Sequence, residues 1–434
     1  MNKLICIFLV LTSFSGCLSV RSRNLAFDRE MTELLRVRDY WGLQAALDIS
    51  GSQLPEAKEL YFRANLESFL NRPEQSLLII DQLFSTRKKS LNDEQMARLL
   101  LIKRSNYYML FDYNQAAEAL REVLESYTHL IERDNQEALK REMQNYELLK
   151  NVPPQKVFRT TAADVIIPFR KNEGGNITIK IICNDAIAEF VFDTGTATSA
   201  IAESVADSMG IQPLDGHTHI NTSTGKLLAA KRGVADSLRI GDLLFENVVF
   251  NIIPDEQLIF HEFNYRVDGI IGLQLMYQMK EIRIDVQAEN IIVPQIPVKQ
   301  DAHNLFFSGA LPILRFESDQ DTLLFTLDTG ASNTTFSKKY FDAHHEKIVK
   351  KGRRGIEYRY GVGGGVASEV YVLNDVPFKI GDFVMRLPSV NVSAQQYLFN
   401  KYFDGNLGRD VLMNFDEMIL NFESMYLTFN NKKE

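Results

Sequence analysis

Two apolar runs in this chain end on a carboxylate. Residues 190–201 read FVFDTGTATSAI and residues 325–336 read FTLDTGASNTTF. In each, a run of the kind that forms a buried strand meets Asp-Thr-Gly at its end. An unmatched carboxylate at the lip of a core costs several kcal/mol. Asp193 and Asp328 are 135 residues apart (193 to 328). A chain that makes one costly choice twice is using the two carboxylates together.

The two runs open matching series. Asp193-Thr194-Gly195 is followed by Ile270-Ile271-Gly272, and Asp328-Thr329-Gly330 by Asn406-Leu407-Gly408, at spacings equal to within one residue. Asp268-Gly269 and Asp404-Gly405 precede the second member of each series, and Glu281 and Glu417 follow it. Between these landmarks lie LRIGDLLFENV (238–248) and FKIGDFVMRLP (378–388). From residue 164 onward short β-rich runs alternate with Gly, so this region is expected to be all-β and duplicated.

Residues 18–150 differ. They are rich in Leu, Ala, Glu, Gln, Arg and Lys, with apolar positions at helical spacing such as Ala116, Ala119, Leu120, Val123 and Leu124. Pro55-Glu56, Pro73-Glu74 and Asn92-Asp93-Glu94 mark helix starts, and six or seven helices are expected. DYWGLQAALDIS (39–50), LNRPEQSLLIIDQLF (70–84) and LFDYNQAAEALREVL (110–124) form a weak, irregular repeat that resembles tetratricopeptide-like helical hairpins. That resemblance implies a peptide or protein partner, and a plain bundle packed on its neighbour is the alternative. Trp41, Tyr107 and Tyr108 are expected in the core. Residues 151–163, with Pro153-Pro154 and no periodicity, are read as a linker.

The first 17 residues, MNKLICIFLVLTSFSGC, have one Lys, a short apolar run and small residues before Cys17. This is a secretory signal too short to span a bilayer. Its ending Phe14-Ser15-Gly16-Cys17 resembles a bacterial lipobox, although Phe14 stands where Leu is usual. The resemblance implies lipidation of Cys17 and a chain anchored in the cell envelope, on a periplasm-facing outer membrane, without spanning it. An ordinary signal-peptidase site is the alternative. Cys183 is the one Cys beyond the leader, so no intramolecular disulfide is available to the mature chain, and its apolar run ITIKIIC marks it as a small core residue. A net charge of −8 and no long basic run argue against nucleic acid.

The duplicated series is similar to the aspartic proteases, covering roughly residues 164–430. The segments after each triplet look closer to retropepsins than to pepsins. The resemblance implies a multidomain chain: an α-helical N-terminal domain, then an all-β two-lobed aspartic protease fold of tandem retropepsin-like half-barrels. The first lobe is expected over 164–298 and the second over 299–434, so a monomer would complete the site. It implies Asp193 and Asp328 as the catalytic pair, with no cofactor and no metal. It implies that Thr194 and Thr329 lock the two loops together and that Ile271, Gly272, Leu407 and Gly408 pack beneath them. Gly195 and Gly330 allow the tight turn. Two carboxylates so close share one proton.

The halves also differ. Thr196 follows the first triplet and Ala331 the second. A hydroxyl beside Asp193 favours its charged form, so Asp193 is expected ionised and Asp328 protonated, within a pair that titrates as a unit. Flap hairpins are expected at 220–230, with Thr224 and Gly225 at the tip, and at 358–370, with Tyr360, Gly361, Gly363, Gly364 and Gly365. The first lacks the Tyr of pepsin flaps, and Asn406 is polar where the family is aliphatic. The Gly-rich run lacks the Lys-Ser/Thr of a phosphate loop. His217, His219, His344 and His345 have no ligand-spaced partners and are expected in surface loops. An aspartic endopeptidase acting on extended peptides is the expected function. A silent peptide-binding pseudo-protease, or a helical partner-binding protein with regulatory protease lobes, are the rivals.

Overall fold

The helix starts read from the sequence hold. In the computed structural model, which describes residues 26–430 apart from 51–52, 262–263, 319–320, 381–382 and 397–401, the N-terminal part is helical. The helices are α1 (26–37), α2 (Tyr40–Ser50), α3 (Glu56–Phe69), α4 (Pro73–Thr86), α5 (Asp93–Met109), α6 (Tyr113–Ser126) and α7 (Arg133–Leu149). Asn92 caps α5 in a full capping box with Gln95, and Pro73 occupies the first turn of α4. The leader and Cys17 lie outside the described residues. Among the described residues no helix is long and apolar enough to cross a membrane.

Residues 151–163 are more than a linker. Lys156–Arg159 forms strand β1. The β-rich region continues with β2 (Val165–Lys171), β3 (Ile177–Cys183), β4 (Ala186–Phe192), β5 (Ala200–Ala202), β6 (Thr218–Asn221), β7 (Leu227–Ile240) and β8 (Leu243–Ile253). Then come β9 (Ile259–Phe260), β10 (Tyr265–Arg266), β11 (Gly269–Ile271), β12 (Glu281–Asp285) and β13 (Asn290–Val293). The second series is β14 (Leu305–Ser308), β15 (Leu311–Ser318), β16 (Asp321–Leu327), β17 (Thr335–Phe336), β18 (Arg353–Gly361), β19 (Gly364–Ile380), β20 (Phe383–Ser393), β21 (Gly405–Leu407), β22 (Glu417–Asn421) and β23 (Tyr426–Asn430). β1 adds antiparallel to β8, because its backbone groups must be paired once it lies on the sheet.

The pairing repeats. β4 runs parallel to β11, β11 antiparallel to β5, and β5 parallel to β8. In the same way β16 runs parallel to β21, β21 antiparallel to β17, and β17 parallel to β20. A single sheet order, β23-β22-β12-β13-β2, joins the two series, with Glu281 opposite Asn421. One apolar core runs through both series, from Val165 to Phe429. Cys183 is a free thiol buried in it.

The helical part is welded to the β part rather than hung from it. Phe306, fully buried on β14, belongs to the helical core and meets Trp41 edge-on at 4.3 Å. Trp41 Nε1 donates to His303 O at 3.3 Å, and Asn71 Nδ2 to Phe422 O at 2.9 Å. Tyr108 and Tyr277 tie α5 to the first series, Tyr277 Oη donating to Met109 O at 2.8 Å. Trp41, Tyr107 and Tyr108 are therefore half-buried, and Trp41 and Tyr108 serve the contact between the two parts. His217, His219 and His345 are exposed as expected, but His219 lies on β6 and His345 opens a short helix, so neither is in a loop.

Phe306→Ala should remove a buried ring shared by both parts and cost about 3–5 kcal/mol. The expected outcome in denaturant unfolding is one transition at a lower midpoint, seen alike by helical and β signals. Separate transitions would show that the contact does not couple the two parts.

Candidate active site

Each Asp is delivered by the end of a strand that is fixed from below. Asp193 N donates to Ile271 O at 3.1 Å and Asp328 N to Leu407 O at 3.0 Å, so Ile271 and Leu407, both fully buried, anchor the strand ends. Gly272 N donates to Ser199 Oγ and Gly408 N to Thr334 Oγ1, both at 3.0 Å. Ser199 and Thr334 were not singled out in the sequence. The signal for them is positional, since each lies six residues after its Asp.

The loops interlock through threonines that are 0 % exposed. Thr194 N donates to Thr329 Oγ1 and Thr329 N to Thr194 Oγ1, each at 3.0 Å. The hydroxyls pass the bond on: Thr194 Oγ1 donates to Leu327 O at 3.0 Å and Thr329 Oγ1 to Phe192 O at 2.9 Å. Each hydroxyl is donor and acceptor at once, which uses its full capacity in a dry setting.

The interlock sets the carboxyl groups against each other. A Cβ on Gly195 would lie 2.6 Å from the Asp328 carboxyl carbon, and one on Gly330 would lie 2.6 Å from that of Asp193. Only glycine fits at either position. Gly195 N donates to Asp193 Oδ1 at 2.8 Å, while Gly330 N reaches both Asp328 Oδ1 at 2.9 Å and Asp193 Oδ1 at 3.2 Å.

The outer oxygens are held differently. Thr196 Oγ1 donates to Asp193 Oδ2 at 2.7 Å. Asp328 Oδ1 accepts from Ala331 N at 2.9 Å, and its Oδ2 accepts from Asn406 Nδ2 at 3.0 Å. Asn406 is oriented in turn by Thr326, whose hydroxyl bonds its Oδ1. The sequence flagged Asn406 as a departure but gave it no role. Its function shows only when β21 lies beside β16. Burial, and then the Asp193 charge, push the Asp328 carboxyl up to about 7, against the pull of the Asn406 and Ala331 donors.

The expected hairpins form, with narrower tips than the glycine run suggests. Gly361 closes β18 and Gly364 and Gly365 open β19, leaving Val362-Gly363 as the turn. Gly363 and Gly364 have φ of +87° and +102°, and Gly225 in the other turn has φ of +81°. Thr224 Oγ1 bonds Thr222 Oγ1 at 2.9 Å within that turn. Unforeseen from the sequence, the two tips meet: Lys226 Nζ donates to Gly363 O at 2.9 Å, and Gly363 N to Gln257 O at 3.1 Å. Tyr360 sits against Gly365 on the neighbouring strand. Among the described residues no group of three His, Cys, Asp or Glu is placed to hold a metal.

The raised Asp328 carboxyl has a stability consequence. The folded chain holds this proton more tightly than the unfolded chain, so its contribution is full below pH 3.8 and is lost as pH rises through about 7. The stability of the wild type relative to Asp328→Asn should therefore fall across that window in denaturant titrations. A difference that stays level with pH would remove the raised carboxyl from the account.

Comparison with known proteins bears on the first series. No curated protein matches the chain. The protein-family model described as aspartyl protease matches residues 177–275, a stretch that contains Asp193-Thr194-Gly195, the first hairpin and Ile271-Gly272. The match supports an aspartyl protease domain within the β-rich region.

Proposed function

We propose that the protein is an aspartic endopeptidase whose two half-sites, tandem retropepsin-like half-barrels, are fused in one chain, with Asp193 and Asp328 as the catalytic pair. The observation that carries this reading is the opposition of the two carboxyls across Gly195 and Gly330, with interlocked threonines behind them. In this mechanism Asp193, held by the Gly195 amide and the Thr196 hydroxyl, is the carboxylate that takes a proton from water. The water attacks the scissile carbonyl carbon. Asp328 enters protonated and gives its proton to the carbonyl oxygen, which becomes the second hydroxyl of a tetrahedral diol. Collapse of the diol breaks the C–N bond as Asp193 gives its proton to the amine nitrogen and Asp328 takes one from a diol hydroxyl, which restores the starting pair.

The substrate class in this reading is an extended peptide lying beneath the two hairpins. Opening it to substrate requires the Lys226–Gly363 and Gly363–Gln257 hydrogen bonds to part, a cost of about 1 kcal/mol for each such bond near the surface. The leader and Cys17 make the enzyme an exported, lipid-anchored protein in the same proposal. The tetratricopeptide-like helices would then select the protein partners brought to it.

Two experiments test the reading. The full-length chain is incubated with a diverse peptide mixture across about pH 3 to 8, beside Asp193→Asn. Cuts that vanish in the variant are expected; equal silence from both folded proteins would leave a peptide-binding protein instead. Separately, Thr196→Ala removes a donor to the charged carboxylate, so the acid limb of the pH–rate profile should move to higher pH. An unmoved limb would overturn the assignment of Asp193 as the ionised partner.

A further inference from the structure

A cavity of about 110 Å³ lies where α5, α6 and α7 meet β7, β8 and the 196–199 loop. Its lining includes Arg232, Tyr113, Gln274, Tyr108, Thr198 and Glu142. Arg232 is 8 % exposed, lies on β7, and forms no ion pair among the described residues. Its Nε is buried without an acceptor among the described residues. A buried guanidinium without a counter-charge is among the most costly groups a fold can hold.

The neighbours do not balance it. Glu142 accepts from Arg104 Nη1 at 2.5 Å and from the Tyr146 hydroxyl, so its charge is already matched. Asn251, opposite Arg232 across β7 and β8, has a buried Oδ1 with no donor among the described residues, but a neutral amide cannot neutralise a cation. Tyr108 is engaged with Thr198 Oγ1 at 2.8 Å. Tyr113, 3 % exposed, and the Gln274 side chain have no hydrogen-bond partner among the described residues. Burial holds the Tyr108, Tyr113 and Tyr146 hydroxyls in their neutral form, so they remain donors. The cavity thus gathers one unmatched cation, a spare hydroxyl and a spare amide around a space of several water volumes.

We infer that this cavity is a binding site for a small oxyanion, a carboxylate or phosphate group, held by Arg232 with Tyr113 and Gln274. The guanidinium fork matches two oxygens of such a group, and the hydroxyl and amide can serve the remainder. The site lies outside the Asp193–Asp328 pair and does not depend on its chemistry. Through Thr198, two residues past Thr196, an occupant would stiffen the loop that holds the Asp193 donor and the helices packed behind it.

The full-length chain is titrated with sodium phosphate and, separately, sodium acetate, at ionic strength held constant with sodium chloride. Thermal unfolding and calorimetry give the readout. At least one of the two anions is expected to bind saturably and raise the unfolding midpoint, and which one does separates a tetrahedral from a planar ligand. Arg232→Met should weaken that binding at least tenfold. Tyr113→Phe, which keeps the cation, should weaken it severalfold and carries the test if Arg232→Met does not fold. No saturable response to either anion would overturn the proposal. So would a response unchanged in Arg232→Met, or one unchanged in Tyr113→Phe where that variant stands alone.

Discussion

Two carboxyl groups pressed together repel unless something behind them prevents retreat. In this chain that restraint is the reciprocal pair of bonds between Thr194 and Thr329, each fully buried and each passing its hydroxyl proton to the opposite strand end. Hydrogen bonds in a dry setting are costly to break, because neither partner finds water in exchange. The rest of the β region can be understood as support for this point. The parallel pairings β4–β11 and β16–β21 bring Ile271 and Leu407 under the Asp amides, and the joined sheet from β23 to β2 keeps the two series from parting.

The near-symmetry of that support makes its breaks informative. Thr196 donates to Asp193, while Asn406, aimed by Thr326, donates to Asp328. Both devices give one outer oxygen a hydrogen-bond donor, but they arrive from different places: one from the loop after the triplet, the other from a neighbouring strand. In the proposed reaction the pair shares one proton, and unlike surroundings are how a protein settles which member keeps it. Burial, and then the Asp193 charge, raise the Asp328 carboxyl.

The helical part belongs to the same physical unit. Phe306 on β14 completes its core, and Tyr108 reaches the loop behind the Asp193 triplet. The cost of this arrangement is a set of polar groups trapped at the contact, with Arg232 the most exposed to that penalty by its charge. Weakly matched polar groups at a contact between two parts are a common place for proteins to admit a ligand.

Much of this architecture is legible in the chain because it is local. Duplicated strand-Asp-Thr-Gly runs and evenly spaced second motifs identify the strands that carry the carboxylates and the glycine-ended runs that follow them, because a strand's pattern and a glycine's necessity are local properties. Capping at Asn92 and Pro73 marks helix starts for the same reason. Contacts between segments far apart in the chain arise only on folding. Asn406 meeting Asp328, Lys226 reaching Gly363, β1 joining β8 and Arg232 finding no counter-charge among the described residues all depend on which distant elements become neighbours. Residue type sets what a side chain can bond; only packing sets what it finds.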